Sequence, residues 1–106
     1  MNRNIKEKIE QHNALCLTYY NDALVQIDRE KPIWKKYRNC QATFCETECY
    51  YVLKSYDTII GVANKSTHDG FDVLRFVYHF TNTSAQHLSK FFNDYAHKIY
   101  RWRVVK

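Results

Sequence analysis

The chain opens on a helical pattern. Ile5, Ile9, Leu17, Tyr20, Leu24 and Ile27 recur near i, i+4 and i+7, which predicts a helix over residues 4–28. Lys6 and Glu10 stand one turn apart as an ion pair. Residues 12–16 interrupt the stripe and leave two readings open, one long helix or two shorter ones. Pro32 ends any helix by about Lys31, because a residue before proline is pushed out of the α region. Residues 29–39, REKPIWKKYRN, form a basic connector with aromatics interleaved. Beyond it the period falls to two. Residues 42–46, 48–54 and 58–63 read as strands, the last rich in β-branched side chains. NKSTHDG, residues 64–70, is a turn cluster. Residues 71–80 read as another strand, apolar on both faces near its centre.

The period then returns to that of a helix. Thr83-Ser84-Ala85-Gln86 has the form of a capping box, with Thr83 and Gln86 closing reciprocal bonds. Leu88, Phe91, Phe92, Tyr95 and Ile99 follow at helical spacing, so a helix is expected over about 84–97. The tail alternates, with Tyr100, Trp102 and Val104 on one side and Arg101, Arg103 and Val105 on the other, the pattern of a short terminal edge strand. The elements add up to an α+β fold: an N-terminal helix, a three- to four-stranded antiparallel meander, a C-terminal amphipathic helix and a short terminal strand. Leu88, Phe91 and Tyr95 are expected in the core, with Leu53 and Ile60 opposite them.

Length adds that 106 residues make one domain, 1–106, with one real core. Aromatics are 16% of the chain, and there are two glycines and one proline, which excludes collagen-like and low-complexity classes. So many rings suit a half-buried sheet, and they equally suit a binding surface. No run of 18 apolar residues is present, and MNRNIKEKIEQHN is too polar for a signal peptide. A cytoplasmic protein with reduced cysteines and no membrane contact is therefore expected.

Candidate chemistry is sparse. Cys40, Cys45 and Cys49 are spaced C-x4-C-x3-C, without the close pairs of a structural zinc site. Small buried apolar residues are the favoured reading, with no metal and no cofactor. No nucleophile elbow, phosphate loop, dinucleotide fingerprint or paired-histidine zinc motif occurs, so a non-enzymatic protein is expected. His87 lies near a helix start beside Thr83 and Ser84, where backbone amides favour an anion. Capping residues with a surface histidine explain the same positions.

The net charge of +5 changes the picture more. Lys35, Lys36 and Arg38 stand in the connector with Trp34 and Tyr37. Arg101, Trp102 and Arg103 stand in the tail. Cations meet phosphates and flat rings stack on bases, so this mixture suits nucleic acid, and it also suits an acidic protein face. A solvated charged rim around core aromatics accounts for it slightly better. Because chain ends often lie close together, the two clusters are expected to form one patch anchored by Trp102.

TECYYVLKSYDTIIGVANK, followed by FVYHFTNTSAQHLSKFFNDY, resembles a group of small proteins from bacterial phages, plasmids and integrative elements. The shared pattern falls on Leu53, Ser55, Tyr56, Thr58, Ile59 and Ile60, then on Tyr78, Thr83, Ser84, His87, Leu88 and Phe91. It covers about residues 42–96 and leaves out the first helix and the basic tail. The resemblance implies an accessory role for a mobile element. It extends by analogy to an anti-defence, anti-CRISPR-like inhibitor that binds a host protein or nucleoprotein complex. The alternative is a module that binds DNA or RNA directly.

Overall fold

The computed structural model describes residues 3–37, 42–77 and 82–104. The first helix, α1 (Arg3–Glu30), is continuous through residues 12–16. At 1.5 Å per residue it is about 42 Å long. Its buried face is centred on Cys16, Ala23 and Gln26, while Tyr20, Leu24 and Ile27 flank that face and Ile5 is exposed. The apolar stripe is thus rotated by about one position from the line of large residues. Small side chains at Cys16 and Ala23 let the helix lie close to the sheet.

Six strands follow among the described residues: β1 (Lys35–Lys36), β2 (Ala42–Glu46), β3 (Tyr50–Ser55), β4 (Thr58–Asn64), β5 (Asp69–Asp72) and β6 (Lys98–Arg101). They stand in chain order, antiparallel except for β5 and β6, which run parallel. The sheet is therefore larger than a three- to four-stranded antiparallel meander. The connector contributes β1, and the tail contributes a full partner to β5.

The expected strand over 71–80 is a correction. The strand ends at Asp72, and a single helical turn, α2 (Leu74–Val77), follows. The Asp72 side chain accepts the Leu74 N–H at 3.0 Å, which starts that turn. Residues 78–80 lie outside the described residues. The helix α3 (Asn82–Tyr95) then crosses one face of the sheet and returns the chain to the start of β5. A helical crossover brings the next strand back in the same direction, so β6 pairs in parallel.

Alternation along the strands divides the core between the two faces. Leu53, Ile60 and Ala63 pack with Leu88, Phe91 and Phe92 of α3, and the half-buried Tyr95 joins them, as expected from the pattern. Tyr50, Val52 and Val62 pack with Ala23 and the half-buried Tyr19 and Ile27 of α1. The register of β3 on β4 shifts between Leu53 and Lys54. Leu53 pairs with Gly61 and Lys54 with Ile59, leaving Ile60 as the extra residue, and this bulge sends both Ile60 and Gly61 toward α3. The two glycines lie under α3. A Cβ on Gly61 would come within 2.3 Å of Leu88 Cδ1, and one on Gly70 within 2.8 Å of Phe92.

The capping box is a second correction. The helix already includes Asn82, so Thr83 is inside its first turn and is not its cap. Ser84 is buried and its Oγ lies 3.1 Å from Ser55 Oγ on β3. The helix ends at Tyr95, two residues short of His97.

Candidate functional site

Sequential strand order decides where the basic clusters go. Lys35 and Lys36 lie on β1 and Arg101 on β6, at opposite edges of the sheet. Five strand spacings separate those edges, about 24 Å. Connector and tail do not form one patch, contrary to the expectation from chain ends. Arg38 lies outside the described residues. On β1 the charge is also divided between faces, since Lys35 is opposite Phe44, which points toward α3, and Lys36 is opposite its neighbour Thr43. Lys35 lines a groove with Ile33, Phe44, Glu46, Tyr51 and Tyr95, and Glu46 pairs with Lys65 at 3.0 Å.

The tail edge is built differently. Its backbone is clamped from two sides. Trp102 N–H donates to Asp72 O at 2.9 Å, which prolongs the β5–β6 ladder. Asn13 of α1 accepts from the Arg103 N–H at 2.8 Å and donates to Arg103 O at 2.7 Å. The side chains are left outward, and Arg75, Arg101 and Arg103 are all exposed. Trp102 is half-buried, its ring 5.3 Å from that of Phe76, which is 47% exposed. Tyr20 of α1 meets Phe76 edge-on at 6.3 Å.

Two adjoining clefts open here. One of about 410 Å³ lies between α2, α3 and the sheet edge, with Ser89 and Asn93 in its wall. The other, about 530 Å³, is lined by Trp102, Arg103 and Val104. Asp72, Arg75 and Arg101 belong to both. Among the residues that line the two clefts, three guanidiniums stand against one carboxylate. Arg101 Nε is 3.4 Å from Asp72 Oδ2. Burial pushes the Asp72 carboxyl above the ordinary carboxylate range, against the downward pull of the Leu74 amide, Arg101 and Arg75. Arg101, Trp102 and Arg103 stand out in the sequence, and the structure brings Asp72, Arg75 and Phe76 beside them, with Tyr20 against Phe76. An aspartate two residues before an apolar turn was the available signal for a helix start at Leu74.

The thiols near this face are held back from reactivity. Cys16 Sγ donates to Tyr100 O at 3.3 Å, and burial, reinforced by the Asp72 charge, pushes its pKa up to about 12. Burial likewise pushes Cys45 up to about 12. Both are buried and free, while Cys49 is exposed in the turn before β3; Cys40 lies outside the described residues. An aromatic disulfide reagent at pH 8 should therefore modify Cys49 rapidly and reach Cys16 and Cys45 only on unfolding, because the thiolate is the nucleophile. Mass mapping after a short pulse checks this, and rapid labelling of Cys16 would show that its burial is wrong. Among the described residues, no three His, Cys, Asp or Glu side chains are grouped to hold a metal ion.

His87 is in the second turn of α3 and is buried, so it is neither a cap nor a surface histidine. Its Nδ1 has no hydrogen-bond partner among the described residues. Burial, helped by the charge of Lys90, lowers its pKa below the usual 6.5. A depressed pKa means that the neutral ring favours folding. That stability is complete above about pH 6.5 and is lost as pH falls through the folded-state value. Melting temperatures between pH 7.5 and 5 should fall in the wild type and fall less in His87→Gln. Parallel curves for the two proteins would remove His87 as the cause.

Comparison with protein-family models, with curated proteins and with solved structures finds no match. No helix among the described residues is long and apolar enough to cross a membrane.

Proposed function

We propose that this protein works by binding, and that its ligand is the phosphate backbone of single-stranded nucleic acid, held on the Arg75–Arg101–Arg103 face. The observation that carries the reading is the adjacency of three exposed guanidiniums to the Trp102–Phe76 ring pair on a clamped backbone. Guanidinium groups match phosphate oxygens two at a time. Phe76 and the half-buried Trp102 leave ring surface on which any base can stack, which makes recognition tolerant of sequence. Duplex DNA hides its base faces, so the ring pair adds nothing to duplex binding. A fixed tail backbone limits the ordering cost of binding, because only side chains need to settle. In this reading a mobile-element accessory role is exercised through nucleic acid, free or held in a host nucleoprotein complex, and no chemical step is involved.

Fluorescence anisotropy of a labelled 20-nucleotide oligothymidylate tests it. Three phosphate contacts give a slope of about −2 in log affinity against log salt, or roughly a 20-fold loss between 50 and 200 mM. No binding at 50 mM salt, or an affinity indifferent to salt, overturns the reading. Capture from a bacterial lysate adds a second check. Partners released by nuclease treatment support it, whereas partners that survive such treatment assign the face to an acidic protein surface.

A further inference from the structure

We infer that Asp72 is an internal competitor for the anion site: its carboxylate holds Arg101, and an incoming phosphate must take Arg101 from it. The inference rests on the binding reading above and specifies how that site is regulated. Asp72 lies on the shared floor of both clefts, and its side chain is only 17% exposed. One oxygen is committed to the Leu74 amide at 3.0 Å. The other faces Arg101 Nε at 3.4 Å. The two ends of this ion pair differ in freedom. Asp72 is fixed through its own backbone in β5, through the Leu74 bond and through the Trp102 N–H on its carbonyl. Arg101 is 53% exposed, on a long side chain that can turn outward. An exchange of partners therefore moves Arg101 and leaves Asp72 in place.

An unmasked arginine would bind phosphate more strongly, since each exchange leaves a mostly buried carboxylate without its cation. The arrangement holds affinity down and lets a ligand leave quickly. It also favours ligands that present several phosphates, because Arg75 and Arg103 capture the chain before Arg101 is released. A single free phosphate has no such foothold. Arg75 also bears on the Asp72 charge from α2, so the carboxylate keeps one cation nearby after Arg101 has left.

The test is a double-mutant cycle with the same labelled oligothymidylate at 50 mM salt, using wild type, Asp72→Asn, Arg101→Gln and the double variant. Asparagine keeps the side-chain oxygen that starts α2, so the fold survives. Should Asp72→Asn melt early, Asp72→Ser carries the same measurement. Releasing Arg101 should tighten binding about tenfold, the worth of one charge-assisted contact, while the salt slope stays near about −2 because the same three phosphates are contacted. With Arg101→Gln already present, the Asp72 substitution should change affinity less than about threefold. Unchanged affinity in Asp72→Asn overturns the inference while leaving the binding reading intact. Equal gains in both backgrounds also overturn it, since Asp72 would then act as diffuse negative charge. Binding by neither wild type nor Asp72→Asn overturns the inference and the nucleic-acid reading together.

Discussion

Phe91→Ala lowers the unfolding free energy by about 3–5 kcal/mol, the range for a buried aromatic cut to alanine. Phe91 is fully buried at the centre of the layer between α3 and the sheet. Its ring meets Tyr37 at 6.0 Å, Phe92 at 5.6 Å and Tyr95 at 5.3 Å. Those neighbours belong to two parts of the chain, the residue after β1 and α3 itself. The cavity cannot close by moving one side chain, so the higher end of the range is expected. Domains of this size have about 5–15 kcal/mol in total, so the loss is a large fraction of the protein's stability. Urea denaturation measures the loss. Ile33→Ala is the matched control, because Ile33 is 79% exposed and its removal should cost less than about 0.5 kcal/mol. A loss below about 1.5 kcal/mol at Phe91 would mean that α3 does not pack as described.

Neutralising the tail face produces the second large effect, on binding. Arg75→Gln, Arg101→Gln and Arg103→Gln together should weaken oligothymidylate binding by 100-fold or more, at about 1.4 kcal/mol for each tenfold step, and flatten the salt slope toward zero. All three side chains are exposed, but the mostly buried Asp72 loses both cations that bear on it, so a stability loss of about 1–3 kcal/mol is expected and the melting temperature is measured alongside binding. Glutamine is the right replacement at Arg101. A glutamate there would face Asp72 and add like-charge repulsion in a mostly buried place, mixing a stability loss with the binding loss. Lys35→Gln with Lys36→Gln, at the far edge of the sheet, serves as the comparison and should weaken binding less than about threefold, as expected for charges beyond a Debye length of the site. Equal losses from both sets would mean that net charge alone attracts the ligand and that no face is special.

Much of the fold was readable because it rests on local pattern. Helical spacing from Leu88 to Tyr95 and alternation from Ala42 to Ala63 each reflect which side of one element is buried, and a handful of neighbouring residues suffices to show it. The core partners Leu53, Ile60, Leu88 and Phe91 followed from those stripes. Residues 71–80 failed for the same reason: a strand of four residues and a helical turn of four are each shorter than one reading window, and their joined apolar pattern mimics a single longer strand. The Thr83 cap failed because a side chain that suits a helix start was instead carried inside one, beside a Ser84 committed to Ser55.

The candidate site was half visible. Arg101, Trp102 and Arg103 announce themselves as a run, yet nothing local relates them to Arg75 and Phe76, some 25 residues earlier. Their meeting depends on α3, which crosses the sheet and lays β6 parallel to β5 so that Arg101 falls opposite Asp72. The two lysines of the connector looked equally promising and were sent to the opposite edge by the strand order. Composition and periodicity set the element types, the apolar faces and the excess of positive charge, since each is a property of neighbouring residues or of the chain's sum. Which cations share a surface depends on strand pairing, and pairing is settled by the fit of distant faces into one core, information that no stretch of the chain carries alone.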